Sequence, residues 1–142
     1  MGMRRKGREL ALQALYQIDL CGDDPGPALR TFFEHCDAPD DARSFGEDLV
    51  GGVLDERTRI DELIGASSDN WRVDRLSHVD RNILRVATYE LLCRRDVPAS
   101  VAIDEAIEIA KRFGSDESAT FVNGVLDHIA ATVGAKERQR AL

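Results

Sequence analysis

The chain is poor in the residues that carry most chemistry. Its three cysteines, Cys21, Cys36 and Cys93, are widely spaced and form no CxxC pair. Neither a zinc ribbon nor a disulfide framework is indicated, and free thiols in a reducing cytoplasm are expected. Its three histidines, His35, His78 and His128, are far apart and none lies in an HExxH arrangement, which argues against a metal site. No GxSxG elbow, Walker motif or kinase set occurs. Asp104, Glu105 and Glu108 are spaced like the carboxylates of a bundle metal site, but the Glu-x-x-His motifs such a site needs are missing. No cofactor is expected, and a binding module is favoured over an enzyme. No apolar run approaches the ~20 residues that cross a membrane. The charged start lacks a following apolar core and a small-residue cleavage site, so it does not read as a signal peptide.

What is present is helical periodicity. At 142 residues the chain suits one domain, or one domain with two small lobes. No strand alternation and no repeat stands out, so the expected fold is all-α, two small helical bundles side by side. The first helix is predicted from near Arg5 to Leu20, with Ala14, Leu15 and Ile18 on one face and Leu12 and Tyr16 widening it. A turn over 22–27 and a helix over about 27–36 follow. One long helix is then predicted over 41–64, with Gly51 and Gly52 in its middle as a kink or a close-packing point. Residues 65–70 read as a linker between an N-terminal lobe (about 1–65) and a C-terminal one (about 71–135), and 136–142 as a frayed tail. Trp71, Val73 and Leu76 suit a short turn. Ser77 suits the cap of a helix over 78–93, in which Glu90 is a polar intruder on the apolar face.

The stretch 97–129 reads as two amphipathic helices. Ile103, Ala106, Ile107, Ala110 and Phe113 mark the first, with Ser100 as its N-cap and Gly114 as a left-handed C-terminal residue. Ser115 is the expected cap of the second, with Asp116 and Glu117 in its first turn. Val122, Val125, Leu126, Ile129 and Val133 form its stripe. Two residues fit poorly. Gly124 lies inside the helix and implies that another backbone comes close. Phe121 falls beside the stripe, as core edge or as an exposed aromatic contact.

The net charge is −7, yet residues 1–8 hold Arg4, Arg5, Lys6 and Arg8 and no acid, which leaves −11 on the other 134 residues. An acidic body argues against nonspecific coating of nucleic acid. The basic start reads equally as a solvated, disordered end or as a small phosphate-binding patch.

Three segments, RRKGRELALQALYQ, VDRNILRVATYEL and VPASVAIDEAIEIAKRFGSDESATFVNGVLD, resemble the NusB family, in order and over nearly the whole chain. The resemblance implies an all-helical, two-lobed fold. It implies transcription antitermination through the boxA element of ribosomal RNA transcripts, as a heterodimer with NusE, a small-subunit ribosomal protein, within the RNA polymerase antitermination complex. It assigns Arg4, Arg5, Lys6 and Arg8 to phosphates, with Arg81 as a weaker candidate. Glu117 and Phe121 fall near the RNA, where the ring can stack a splayed base. Tyr16 is implied to be mainly structural, and Asp80 and Glu105 to face NusE. Four cations would give a salt slope near −3 on single-stranded RNA. Gly7 interrupts the basic run and is expected to loosen it. Two other readings stand beside this one: an accessory module for a ribosomal RNA methyltransferase, whose S-adenosylmethionine segment this chain lacks, and a pure interaction or dimerisation module. A homodimer of the free protein stays open.

Overall fold

The computed structural model describes residues 2–22, 24–68 and 72–134, and all regular structure among them is helical. The helices are α1 (Met3–Cys21), α2 (Pro25–His35), α3 (Asp40–Asp55), α4 (Arg57–Ser67), α5 (His78–Cys93), α6 (Ala99–Phe113) and α7 (Ser118–Thr132), with a 3-10 turn at Val73–Arg75. The expected Trp71 contact, part of the 65–70 linker and the tail lie outside the described residues. None of the described helices is long and apolar enough to cross a membrane.

The helix at the centre is α5, which packs against α1, α3, α4, α6 and α7. Every residue from Asn82 to Thr88 is buried, as a helix surrounded on all sides requires. Leu84 and its neighbours Leu49, Ile60, Ile64, Leu126 and Ile129 are fully enclosed, each contributing about 1.5–3 kcal/mol of burial. Ser77 caps α5 as expected, its Oγ accepting from the Asp80 N–H at 3.1 Å.

The long helix expected over 41–64 is two helices. The backbone departs at Glu56 (φ −105°, ψ 15°), although its N–H still donates to Gly52 O. The bend serves burial. α3 turns Phe45, Leu49 and Val53 inward where it meets α1 and α5, while α4 brings Ile60 and Ile64 against α5 and α7. A straight helix could not face both sets of partners. The glycines do not make the bend. A Cβ on Gly52 would lie 2.2 Å from Tyr89 Cε1, so Gly52 makes room for that ring, and Gly51 has open space.

Gly7 does not loosen α1. It is buried where α1 crosses α3, and a Cβ there would sit 2.8 Å from Phe45 Cδ2 and 2.9 Å from Ala42 O; opposite it, a Cβ on Gly46 would lie 3.0 Å from Gly7 O. The pair lets two backbones touch. α1 ends at Gly22, whose positive φ of 65° lets its N–H reach Ile18 O.

At the α6–α7 corner several expectations change. Pro98 is the N-cap of α6 and Ser100 falls inside the helix. Gly114 is extended (φ −93°, ψ −170°), not left-handed; a Cβ there would lie 2.4 Å from Ser118 Oγ. The serines exchange roles, with Ser118 Oγ accepting from the Ser115 N–H at 2.9 Å. Asp116 and Glu117 therefore precede α7. Gly124 is exposed, and among the described residues nothing lies within 4 Å of a Cβ placed there, so none of the described backbone approaches it.

Two glycine substitutions should move stability in opposite directions. Gly7→Ala meets the Ala42 carbonyl, which the α3 backbone holds in place, and should lose about 1–3 kcal/mol. Gly124→Ala enters open space on a helix and should gain up to about 1 kcal/mol. Urea denaturation of the two variants measures both.

Candidate nucleic-acid interface

The basic start of α1 is clamped onto the second half of the chain. Arg8 Nε and Nη2 donate to Glu90 Oε1 at 3.0 and 2.7 Å, and both residues are buried, at 3% and 2% exposure. Glu90, the polar intruder, is thus the counter-ion of Arg8. Burial pushes the Glu90 carboxyl above its ordinary range, and the Arg8 guanidinium partly offsets this. Arg5 Nε donates to Glu105 Oε1 at 3.0 Å, and Arg4 Nη2 to Asp96 Oδ2 at 2.8 Å. Next to Arg8, Glu9 accepts from Arg112 Nη1 at 2.6 Å. Lys6 is exposed and is the one cation of the four with no ion pair among the described residues. Of the four expected phosphate contacts, three therefore reach solvent and Arg8 faces the interior.

One aromatic ring gathers the arginines. The guanidinium carbons of Arg4, Arg8 and Arg94 lie 5.1, 5.4 and 5.0 Å from the Phe45 centroid, within cation–π range. Phe45 is itself part of the core, and no sequence pattern signals the cations around it. Arg94 and Asp96 were also missed; their signal was the RRD run between two strongly periodic helices. Hydrogen bonds from Arg94 hold the Asp96 carboxyl well below the usual range, with Arg4 adding to the effect.

A second polar cluster sits at the other end of α1. Asp19 Oδ2 accepts from Asn82 Nδ2 at 2.9 Å and from Arg81 Nη2 at 3.0 Å. Arg85 donates twice to Asp61 of α4, at 2.9 Å each. Burial raises the Asp19 carboxyl, but hydrogen bonds from Asn82, Arg81 and His78 outweigh it and hold it low. Arg81 also donates to Val73 O at 3.3 Å, so most of its capacity is used inside the protein. Tyr16 sets its ring edge-on to His78 at 5.9 Å. Asp80 opens α5 half-buried, with one carboxylate oxygen enclosed and without a hydrogen-bond partner among the described residues.

The candidates thus occupy separate places. Arg4, Arg5, Arg8 and Glu105 meet at the start of α1. Arg81 is bonded to Asp19, about 16 Å from Arg8 by the rise of α1, and Asp80 precedes Arg81 in the first turn of α5. Glu117 is exposed just before α7, and Phe121, one turn later, is half-buried at the core edge. The Glu9–Arg112 bond links α1 to the end of α6, shortly before that corner.

The NusB family model matches residues 5–131. The transcription antitermination protein NusB of Geobacter sulfurreducens is 49% identical over 137 residues, covering 96% of this chain and 99% of that one. Its counterpart in Sorangium cellulosum is 43% identical over 140 residues, covering 99% and 100%. Among solved structures, T. maritima NusB superposes with a TM-score of 0.85 at 40% identity over 96% of each chain. A chain of the complex of antitermination factors NusB and NusE with dsRNA superposes with a TM-score of 0.83 at 28% identity, covering 93% of this chain and 98% of that one.

Two outcomes test the polar framework. Arg8→Ala leaves Glu90 buried and unpaired and should cost about 3–5 kcal/mol, whereas Arg8→Met with Glu90→Leu should recover most of that loss in thermal melts. Asp19 has a lowered carboxyl, so its contribution is full above the ordinary value of 3.8 and fades as pH falls through and below it. Asp19→Asn should therefore be less stable than the parent near pH 6 and should lose less on acidification to about pH 3.

Proposed function

The chain belongs to the NusB family, and on that premise we propose that it is an antitermination factor that binds boxA-type RNA together with NusE. The observation that carries this reading is the family match over residues 5–131, which includes Arg5, Lys6 and Arg8 at the start of α1. The protein acts by binding and positioning rather than by catalysis, in the cytoplasm where transcripts are made.

Its residues divide the work. Arg4, Arg5 and Lys6 contact phosphates, because their charges reach solvent. Arg8 positions them: locked to Glu90, it fixes the first two turns of α1. Glu105 orients Arg5 and, with Asp80, borders the NusE-facing surface. Phe121 offers its half-exposed ring for base stacking, with Glu117 one turn before it as a hydrogen-bond acceptor for base edges. Arg81, held by Asp19, shapes the start of α5. Three cations on single-stranded RNA imply a salt slope of about −2, which is weak for RNA alone. A basic partner supplies the rest of the path and complements the acidic body.

Equilibrium titration with labelled RNA tests the proposal. BoxA-type RNA should bind more tightly than a scrambled sequence, and the difference should widen when NusE is added. Equal affinity for both RNAs with and without NusE would overturn the reading. Phe121→Ala should weaken RNA binding by about 1–3 kcal/mol, with a modest drop in melting temperature because the ring is half-buried; a drop in melting temperature at unchanged RNA affinity assigns the ring to the core alone.

A further inference from the structure

The cationic surface does not end with α1. The turn between α5 and α6 carries Arg94, Arg95 and Asp96, and the Val97 N–H donates to Arg94 O at 3.1 Å to close it. Arg94 and Arg4 lie over the same Phe45 ring. Asp96 Oδ2 accepts from both of them, at 2.9 Å from Arg94 Nη2 and 2.8 Å from Arg4 Nη2. One carboxylate therefore hydrogen-bonds two guanidiniums; Asp48 also acts on Arg94, and Arg4, Arg94 and Arg95 outnumber these two acids. Arg95, next in the turn, is exposed and has no ion pair among the described residues. Between this turn and α1 lies a cleft of about 310 Å³, lined among others by Arg4, Arg5, Val97, Pro98 and Val101.

We propose that the α5–α6 turn is a second phosphate-binding segment, in which Arg94 and Arg95 continue the path begun by Arg4 and Lys6. The inference rests on the RNA-binding reading above and extends it to a part of the chain 90 positions from Arg4 in sequence. Three physical points support it. The Asp96 carboxylate is 48% exposed and Arg4 50%, while Arg94 keeps 21% of its side chain at the surface, so exchanging Asp96 for a phosphate oxygen costs least at Arg4. Phe45 holds two guanidiniums in place before any ligand arrives, which reduces the ordering cost of binding. The surplus is positive while the rest of the molecule is acidic, so an RNA backbone suits this turn and a basic protein does not.

The test is a titration of labelled boxA-type RNA with the full chain and NusE at several salt concentrations. Arg95→Gln should weaken binding about 3- to 10-fold and reduce the magnitude of the salt slope by about 0.7, with an unchanged melt. Arg94→Gln added to it should deepen both effects. Arg59→Gln, which removes an exposed charge from α4, should stay close to the parent and so controls for net charge. If the parent prefers boxA over a scrambled sequence while Arg95→Gln and the double variant bind like the parent with the same slope, the proposal falls and the RNA-binding reading stands. If the double variant loses affinity for NusE in the absence of RNA, the turn is a protein contact and the proposal also falls. If the parent shows no preference for boxA at all, it is the RNA-binding reading that has failed, and the extension goes with it.

Discussion

The buried ion pair between Arg8 and Glu90 governs how the two halves of the chain meet. Two opposite charges removed from water cost several kcal/mol each, and their attraction returns that only when geometry is good and the remaining hydrogen-bonding capacity is met. Here the fork of Arg8 reaches both carboxylate oxygens, and the Phe45 ring covers one face of the guanidinium. An apolar pair of similar volume would bury as well. What the charges add is register: a slip of α1 along α5 by one turn would leave both ions buried and unpaired. The Asp19–Asn82 bond makes the same demand at the far end. Two polar locks with an apolar seam of Leu12, Leu15, Ile83 and Val86 between them thus specify an antiparallel match of α1 to α5.

Register matters because the solvent-facing cations ride on α1. Arg4, Arg5 and Lys6 sit one turn or less before Arg8, so their places on the surface follow from the depth at which Arg8 is anchored. Gly7 belongs to the same device. Without a side chain there, α1 drops onto α3 until its backbone touches Ala42, and that approach brings Phe45 under the arginines. The basic run is interrupted by glycine for packing, and the same packing arranges the charges around it.

These relations explain what could and could not be read from the sequence. Helical periodicity located α1, α5, α6 and α7 and part of each stripe, since those patterns report a face and nothing more; Phe113 and Tyr16, read onto apolar faces, are exposed, and Ile109 is buried instead. Ser77 was legible because capping is local. Glu90 was visible as an exception, but its partner lies 82 positions away, beyond any local rule. The bend at Glu56 was missed because the helical hydrogen bonds run through it; only the choice of burial partners forces it. The glycines were misread in both directions, Gly7 as slack and Gly124 as contact. A glycine inside a helix says that a side chain is absent, and only the neighbouring helix decides whether that space is used.

The charge pattern leads to a further consequence. A protein whose cations were unpaired would attract any polyanion, limited only by its net charge. In this chain Arg4 and Arg5 already hold carboxylates, so a phosphate has to replace an acceptor that is in place. Random backbone contacts gain little from such an exchange. A ligand gains when it replaces several acceptors at once and adds contacts the carboxylates cannot make, such as the base stacking proposed for Phe121. Pairing therefore lowers nonspecific affinity more than specific affinity, and the difference between the two is what specificity consists of. The acidic body acts in the same sense, opposing RNA at long range and attracting a basic partner. In the proposed RNA-binding reading, Asp96 and Glu105 set a threshold that a matched RNA arriving with its protein partner can cross and an unmatched one cannot.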